Sequence, residues 1–219
     1  MSRLDLRVVD DPAAEAAALL VAAARDGQAV ALCGGSTPGR IFELAAAEEP
    51  DWSRASVWFG DERVVPPEDE RSNFKLAKEH LLDRLSGQPE VHRVRTELGA
   101  EGAANAYEQE LGPLDLSLNG LGRDGHTGSL FPGKPALEVR DRRVVAAEPG
   151  LDPWVERVTL TIAAFNAVPT LLFVATGEDK AEPVRRAFAE EPSPETPASL
   201  VRGSELTVVL LDRAAGAYI

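Results

Sequence analysis

The sequence predicts an α/β fold: one domain over residues 1–219, built on a mostly parallel sheet with helices on both faces, Rossmann-like in outline. Three observations carry that expectation. Short, continuous apolar runs read as strands buried on both faces. Stretches with helical periodicity alternate with these runs, which is the pattern of βαβ crossovers. Glycine-rich turns follow several of the runs, where open α/β sheets place their ligands.

The elements follow in order. Asp11-Pro12 opens a helix with proline in its first turn, and an alanine-rich stretch carries it to about residue 26, where Gly27 closes it. Residues 28–33 form a short apolar strand that runs into Gly34-Gly35-Ser36-Thr37-Pro38-Gly39. Thr37 and Pro38 read as N-cap and first helical position, with Ile41, Phe42, Leu44 and Ala45 as the apolar stripe behind them. Residues 56–59 make a second strand ending at Gly60-Asp61-Glu62-Arg63. A loop with Pro66 and Pro67 leads to Ser72, a cap for a helix to about residue 85, and a further helix covers 99–111. The run 114–118 is a strand. Residues 143–147 and 157–162 alternate as strands do. Between Thr170 and Thr176 the chain is a continuous apolar run, and Gly177-Glu178-Asp179-Lys180 opens a helix to about 189. A proline-rich loop over 190–197 precedes a last strand over 205–211. No internal repeat or dividing linker interrupts the series.

Composition narrows the function classes. With 44% hydrophobic and 27% charged residues the chain is ordinary for a soluble globular protein. No apolar run reaches the roughly 18 residues that cross a bilayer, and the N-terminus has no signal-peptide core, so a cytoplasmic protein without membrane partners is expected. The net charge of −13 argues against nucleic acid as a partner, since phosphate contacts need clustered cations. One cysteine, Cys33, excludes an intrachain disulfide and a cysteine-built zinc site. With three histidines at no metal-ligand spacing, a catalytic metal is not expected.

The most informative stretch is 118–133, where a strand empties into glycines carrying Asp124 and His126. Aspartate and histidine are the groups best suited to proton transfer near neutral pH. Gly120-Leu-Gly122-Arg-Asp-Gly125 also fits the G-x-G-x-x-G dinucleotide fingerprint, but Pro132 and Gly133 leave no room for the crossover helix that fingerprint needs. A plain tight turn is the other alternative. Gly34, Gly35, Ser36 and Thr37 at a helix N-terminus have the free N–H groups, dipole and hydroxyls of a phosphate cradle, and equally fit an ordinary capped turn. Arg63 beside Asp61 and Glu62 fits a local ion pair. Lys180 at a helix start opposes the dipole unless an anion is near. Arg202 is ambiguous. Cys33 reads as inert packing, and His80 and His92 as surface or supporting residues. The loops at 34–39, 60–63, 120–127 and 177–180 are expected to converge on the carboxyl edge of the sheet.

Four segments together resemble the 6-phosphogluconolactonases of the glucosamine-6-phosphate isomerase/6-phosphogluconolactonase family. They are Leu32-Cys-Gly-Gly-Ser-Thr-Pro-Gly39; Trp58-Phe-Gly-Asp-Glu-Arg-Val-Val-Pro66 with Ser72-Asn73-Phe74; Gly120-Leu-Gly-Arg-Asp-Gly-His-Thr127 with Ser129-Leu-Phe-Pro-Gly133; and Gly177-Glu-Asp-Lys180. The resemblance implies a sugar-phosphate isomerase-type fold and a cofactor-free hydrolase opening 6-phospho-D-glucono-1,5-lactone, a small phosphorylated sugar lactone, as a monomer or weak homo-oligomer. It implies His126 as general base, Asp124 and Arg63 as its catalytic companions, and Gly34, Gly35, Ser36, Thr37, Asp61, Gly122, Lys180 and Arg202 as the substrate- and phosphate-binding set. Arg123 stands where the family usually has proline, and Gly128 where alanine or cysteine is common. The last strand lacks a tryptophan often found there.

Two rivals remain. Glucosamine-6-phosphate deaminases look like relatives with a similar Asp-Gly-His loop, but they place a glutamate five residues after the histidine, where this chain has Phe131. A noncatalytic sugar-phosphate sensor would carry a DNA-binding segment, for which no spare N-terminal length is expected.

Overall fold

The computed structural model describes residues 2–219. Among the described residues ten strands and six α-helices follow one another as β1 (Arg3–Val8), α1 (Pro12–Arg25), β2 (Ala29–Leu32), α2 (Ser36–Glu48), β3 (Ser56–Phe59), β4 (Asp61–Arg63), α3 (Asn73–His80), β5 (Glu90–Val91), α4 (Gly99–Glu110), β6 (Leu116–Gly120), β7 (Val144–Ala147), β8 (Arg157–Leu160), α5 (Ile162–Ala167), β9 (Thr170–Ala175), α6 (Ala181–Phe188) and β10 (Leu206–Leu211). Seven strands form the main sheet in the order β1-β10-β9-β6-β2-β3-β5, and every pairing in it is parallel. The antiparallel pairs lie in a separate sheet, β4-β8-β7.

The central strands are buried on both faces, and β6 and β9 expose almost nothing along their length; β9 reads as a nearly continuous apolar run, whereas β6 alternates, with Ser117 and Asn119 buried alongside its leucines. Helix α1 begins at Pro12 under an Asp11 cap, and its alanines let it lie close against α2 and the β9–β10 region. Tyr107 of α4 fixes the end of β3 by accepting from the Phe59 N–H at 2.7 Å and donating to the Phe59 carbonyl at 3.1 Å. One contiguous apolar cluster, including Leu20, Phe42, Phe59, Leu118, Phe165 and Phe173, fills the space around the sheet. Each such fully buried side chain contributes about 1.5–3 kcal/mol.

Several elements differ from the sequence expectations. Helix α2 starts two residues early: Gly35, not Thr37, is its N-cap, at φ 121°, a conformation that suits glycine, and no side chain caps it. The helix after Ser72 stops at His80 because Leu81 leaves helical geometry, and one short 3₁₀ turn, Leu82–Arg84, follows. Gly177 opens a 3₁₀ turn, Glu178–Lys180, which makes Lys180 the cap of α6. Strands β1, β4 and β5 and helix α5 have no counterpart in the sequence reading.

The chain moves from β2 toward β3 and from β6 toward β9, in opposite directions across the sheet. The loops after β2 and β6 therefore part, and the gap between them at the carboxyl ends is the topological switch point.

Candidate active site

Two adjoining cavities occupy that gap. The first, about 350 Å³, is lined by Gly34–Thr37 after β2, the end of β6, Thr176 and Lys180. The second, about 250 Å³, is lined by Asp61, Arg63, Gly122, His126, Arg157 and Lys180, among others. Gly34, Gly35, Gly120, Leu121 and Lys180 face both, so they form one cleft. The four loops expected at the sheet edge all contribute to it.

The first cavity is built around the start of α2. With no side-chain cap, the helix leaves its first N–H groups for solvent or a ligand. Thr37 Oγ1 lies 3.5 Å from Thr176 Oγ1 across the cavity wall. Gly34 is glycine for a steric reason: a Cβ there would sit 1.8 Å from Asn73 Oδ1. Lys180 stands opposite. Burial, the largest influence, lowers its pKa; Asp179 and Asp124 oppose this, and Arg123 adds to it. Asp179 is engaged by Arg123 at 2.6 Å, and Lys180 has no ion-pair partner among the described residues.

In the second cavity His126 and Asp124 are in direct contact. Gly125 adopts φ 88°, its N–H donates to Gly122 O at 3.0 Å, and Gly122 N–H donates to His126 O at 2.8 Å. This tight turn folds the loop back so that His126 Nδ1 lies 2.5 Å from Asp124 Oδ1, which also accepts from the His126 N–H at 3.1 Å. Burial pushes the Asp124 carboxyl upward, but its bonds to His126 outweigh that and hold it below the ordinary value. A carboxylate at Nδ1 favours the tautomer with the proton there, leaving Nε2 as the available base. The Phe131 ring packs against the imidazole with centroids 4.5 Å apart.

The Asp61-Glu62-Arg63 segment divides its labour. Asp61 is buried on the cavity wall, where Oδ2 accepts from Ser129 Oγ at 2.6 Å and Oδ1 from Asn73 Nδ2 at 3.0 Å. Glu62 points away and receives the N–H groups of Arg63, Asn73 and Phe74 and the Ser72 hydroxyl, tying β4 to the start of α3. Burial raises its pKa, with those N–H groups opposing. Arg63 forms no ion pair among the described residues, contrary to the local-pair alternative; its Nη1 donates to Arg71 O at 2.7 Å and it lines the cavity.

Arg202 is not brought to the cleft. It lines neither cavity, and its guanidinium donates to the carbonyls of Ala198, Val201 and Ala187 while lying 5.1 Å from the Phe188 ring centroid. Cys33 lies on the second cavity, but burial, with Asp61 adding to it, pushes its thiol up to about 12, which leaves it unreactive. His80 contacts Glu43 and His92 stacks on Trp58, both outside the cleft. Among the described residues no group of three or more His, Cys, Asp or Glu is placed to hold a metal, and no helix is long and apolar enough to cross a membrane.

The sequence reading misses Phe131, Arg157, Leu151 and Asp152 as parts of the wall, and Asn73 as the residue that holds Asp61 in place. Asn73 and Phe131 lie inside quoted motifs, so their segments carried the signal. Arg157 sits in an alternating strand and gives none.

A family model described as glucosamine-6-phosphate isomerases/6-phosphogluconolactonase matches residues 7–210. A 6-phosphogluconolactonase from Homo sapiens is 37% identical over 204 residues, covering 86% of this chain and 79% of its own. One from Mycobacterium leprae (strain TN) is 36% identical over 215 residues, covering 90% and 87%. The crystal structure of 6-phosphogluconolactonase from Thermotoga maritima superposes with a TM-score of 0.83 at 30% identity, covering 96% of this chain and 100% of its own.

Proposed function

This chain belongs to the glucosamine-6-phosphate isomerase/6-phosphogluconolactonase family, and we propose that it hydrolyses 6-phospho-D-glucono-1,5-lactone to 6-phospho-D-gluconate, in the oxidative pentose phosphate pathway, with His126 as general base. The observation that carries this reading is the His126–Asp124 contact of 2.5 Å in a cavity continuous with the uncapped start of α2.

The phosphate occupies the first cavity, where the α2 N–H groups, the Ser36 and Thr37 hydroxyls and the Lys180 ammonium meet it. Holding the far end of the substrate fixes C1 in the second cavity and reduces the entropy cost of the encounter with water. Nε2 of His126 takes a proton from a water as its oxygen bonds to C1. Charge moves onto the carbonyl oxygen, where Arg63 and loop N–H groups stabilise it; a donor so placed is worth roughly 3 kcal/mol. The intermediate collapses by breaking the bond from C1 to the ring oxygen, which takes the proton from the imidazolium. Asp124 holds the imidazole in the required tautomer and stabilises its charged form.

Asp61 and Gly122 shape the wall rather than react. Phe131 puts an aromatic ring, not a carboxylate, beside the imidazole, which favours hydrolysis over the ring-opening assistance a deaminase needs. The test is to generate the lactone in the cuvette by oxidising glucose 6-phosphate and to follow its disappearance. Hydrolysis well above the spontaneous rate is expected, unchanged by a chelator. A rate equal to the spontaneous one overturns the reading.

A further inference from the structure

Arg157 is a cation of the cleft that the chemistry above leaves unused. It opens β8, is 3% exposed and lines the second cavity but not the first. Its Nε donates to Val155 O at 3.0 Å and its Nη2 to Pro153 O at 2.7 Å. Nη1 has no protein acceptor among the described residues, yet it is not sealed from solvent in the way that Arg63 Nε is. The guanidinium carbon lies 6.0 Å from the centroid of the Phe131 ring, the same ring that packs against His126.

Arg157 makes no ion pair among the described residues; burial, the largest influence, disfavours its charge and Arg63 adds to this, while Asp61, Glu62 and Asp152 oppose it. Asp61 and Asp152 also line this cavity, but both Asp61 oxygens are already bonded to Ser129 and Asn73. An arginine stays charged under these conditions, and a buried cation with no carboxylate in direct contact and a second cation nearby is better satisfied when an anion occupies the cavity.

We propose that Nη1 of Arg157 recognises the carboxylate that hydrolysis creates at C1, and the oxyanion that precedes it, making Arg157 a specificity-determining residue at the reacting end of the cleft. This rests on the lactone-hydrolase reading. Ring opening converts a neutral ester into an anion, so a cation at this end distinguishes product from substrate, whereas Lys180 and the α2 N–H groups meet the phosphate common to both.

The test compares 6-phosphogluconate with sorbitol 6-phosphate, which has the same carbon chain and phosphate but CH2OH in place of the carboxylate, by calorimetric titration. The wild-type protein is expected to prefer 6-phosphogluconate about tenfold or more, the scale of one charge-assisted hydrogen bond. Arg157→Gln should abolish most of that preference while sorbitol 6-phosphate affinity stays within about twofold. Arg157→Lys keeps the charge but cannot hold the Pro153 and Val155 carbonyls and the ligand together; it should lose at least about threefold of the preference, and it decides the matter if the Gln variant does not fold. No preference in the wild type, an undiminished preference in the Lys variant, or an equal loss of both ligands in a folded variant overturns the proposal. Absence of lactone hydrolysis by the wild type would sink the functional reading itself, whereas hydrolysis without a carboxylate preference would sink only this inference.

Discussion

The imidazole of His126 rests in space that only a glycine at position 122 leaves open: a Cβ on Gly122 would lie 2.0 Å from His126 Nδ1 and 2.6 Å from Asp124 Oδ1. Gly122→Ala should therefore displace the ring from its carboxylate without disturbing the sheet. Turnover is expected to fall by at least about tenfold, since small displacements of a catalytic group are expensive, with the far-UV circular dichroism spectrum unchanged. Steady-state kinetics on the folded variant check this, and normal turnover would mean the ring needs no such seat.

Asp124→Asn keeps the shape of the contact but removes the charge that selects the tautomer. A loss in kcat of about 100-fold, with KM little altered, is expected. Stability supplies an independent reading. The Asp124 carboxyl is held below its ordinary value in the folded protein, so its contribution is fully present above the unfolded carboxylate range and lost as pH falls through the depressed folded value. Denaturant titrations should show wild type more stable than the Asn variant at pH 7, with the gap narrowing as pH falls below the ordinary aspartate value of about 3.9 and closing only below the depressed folded value. A gap that widens in acid would contradict the sign.

Lys180→Ala should raise KM by about tenfold or more while kcat changes by only a few-fold, because the ammonium meets the remote phosphate. Its charge is disfavoured in the folded protein by burial, so the substitution should leave the melting temperature unchanged or raise it. An unchanged KM would remove Lys180 from the phosphate site.

Arg202→Ala is expected to behave in the opposite way. Its donations to three backbone carbonyls and its place over Phe188 are structural. Loss of about 1–3 kcal/mol of stability should accompany a KM within about twofold of wild type. A large rise in KM in a stably folded variant would return Arg202 to the substrate.

The strands easiest to recognise in the sequence are those covered on both faces, since β3 and β9 are apolar apart from their first residues, Ser56 and Thr170. Strand β1 hides at the edge of the sheet, where Arg3, Asp5 and Arg7 interrupt its pattern and no residue is fully buried. The segment Asp61–Arg63 looks like a charged turn, and only its pairing with β8, nearly a hundred residues later, makes it a strand. Such non-local pairing is invisible to local periodicity. The cleft follows the same division. Glycine loops after strands announce His126, Lys180 and Gly34–Thr37. Spacing alone leaves the Asp124–His126 contact undecided, because only the turn at Gly125 brings the two side chains together. Arg157 is hidden by its strand, and Arg202 misleads because a cation in a loop looks the same whether it serves a ligand or three carbonyls.

The central claim is that His126 Nε2 takes the proton of the attacking water. The kcat of His126→Ala on freshly generated 6-phosphogluconolactone, corrected for spontaneous hydrolysis, tests it most directly. The account predicts a fall of about 100-fold or more with 6-phosphogluconate binding largely preserved. Turnover close to that of the wild type would contradict it.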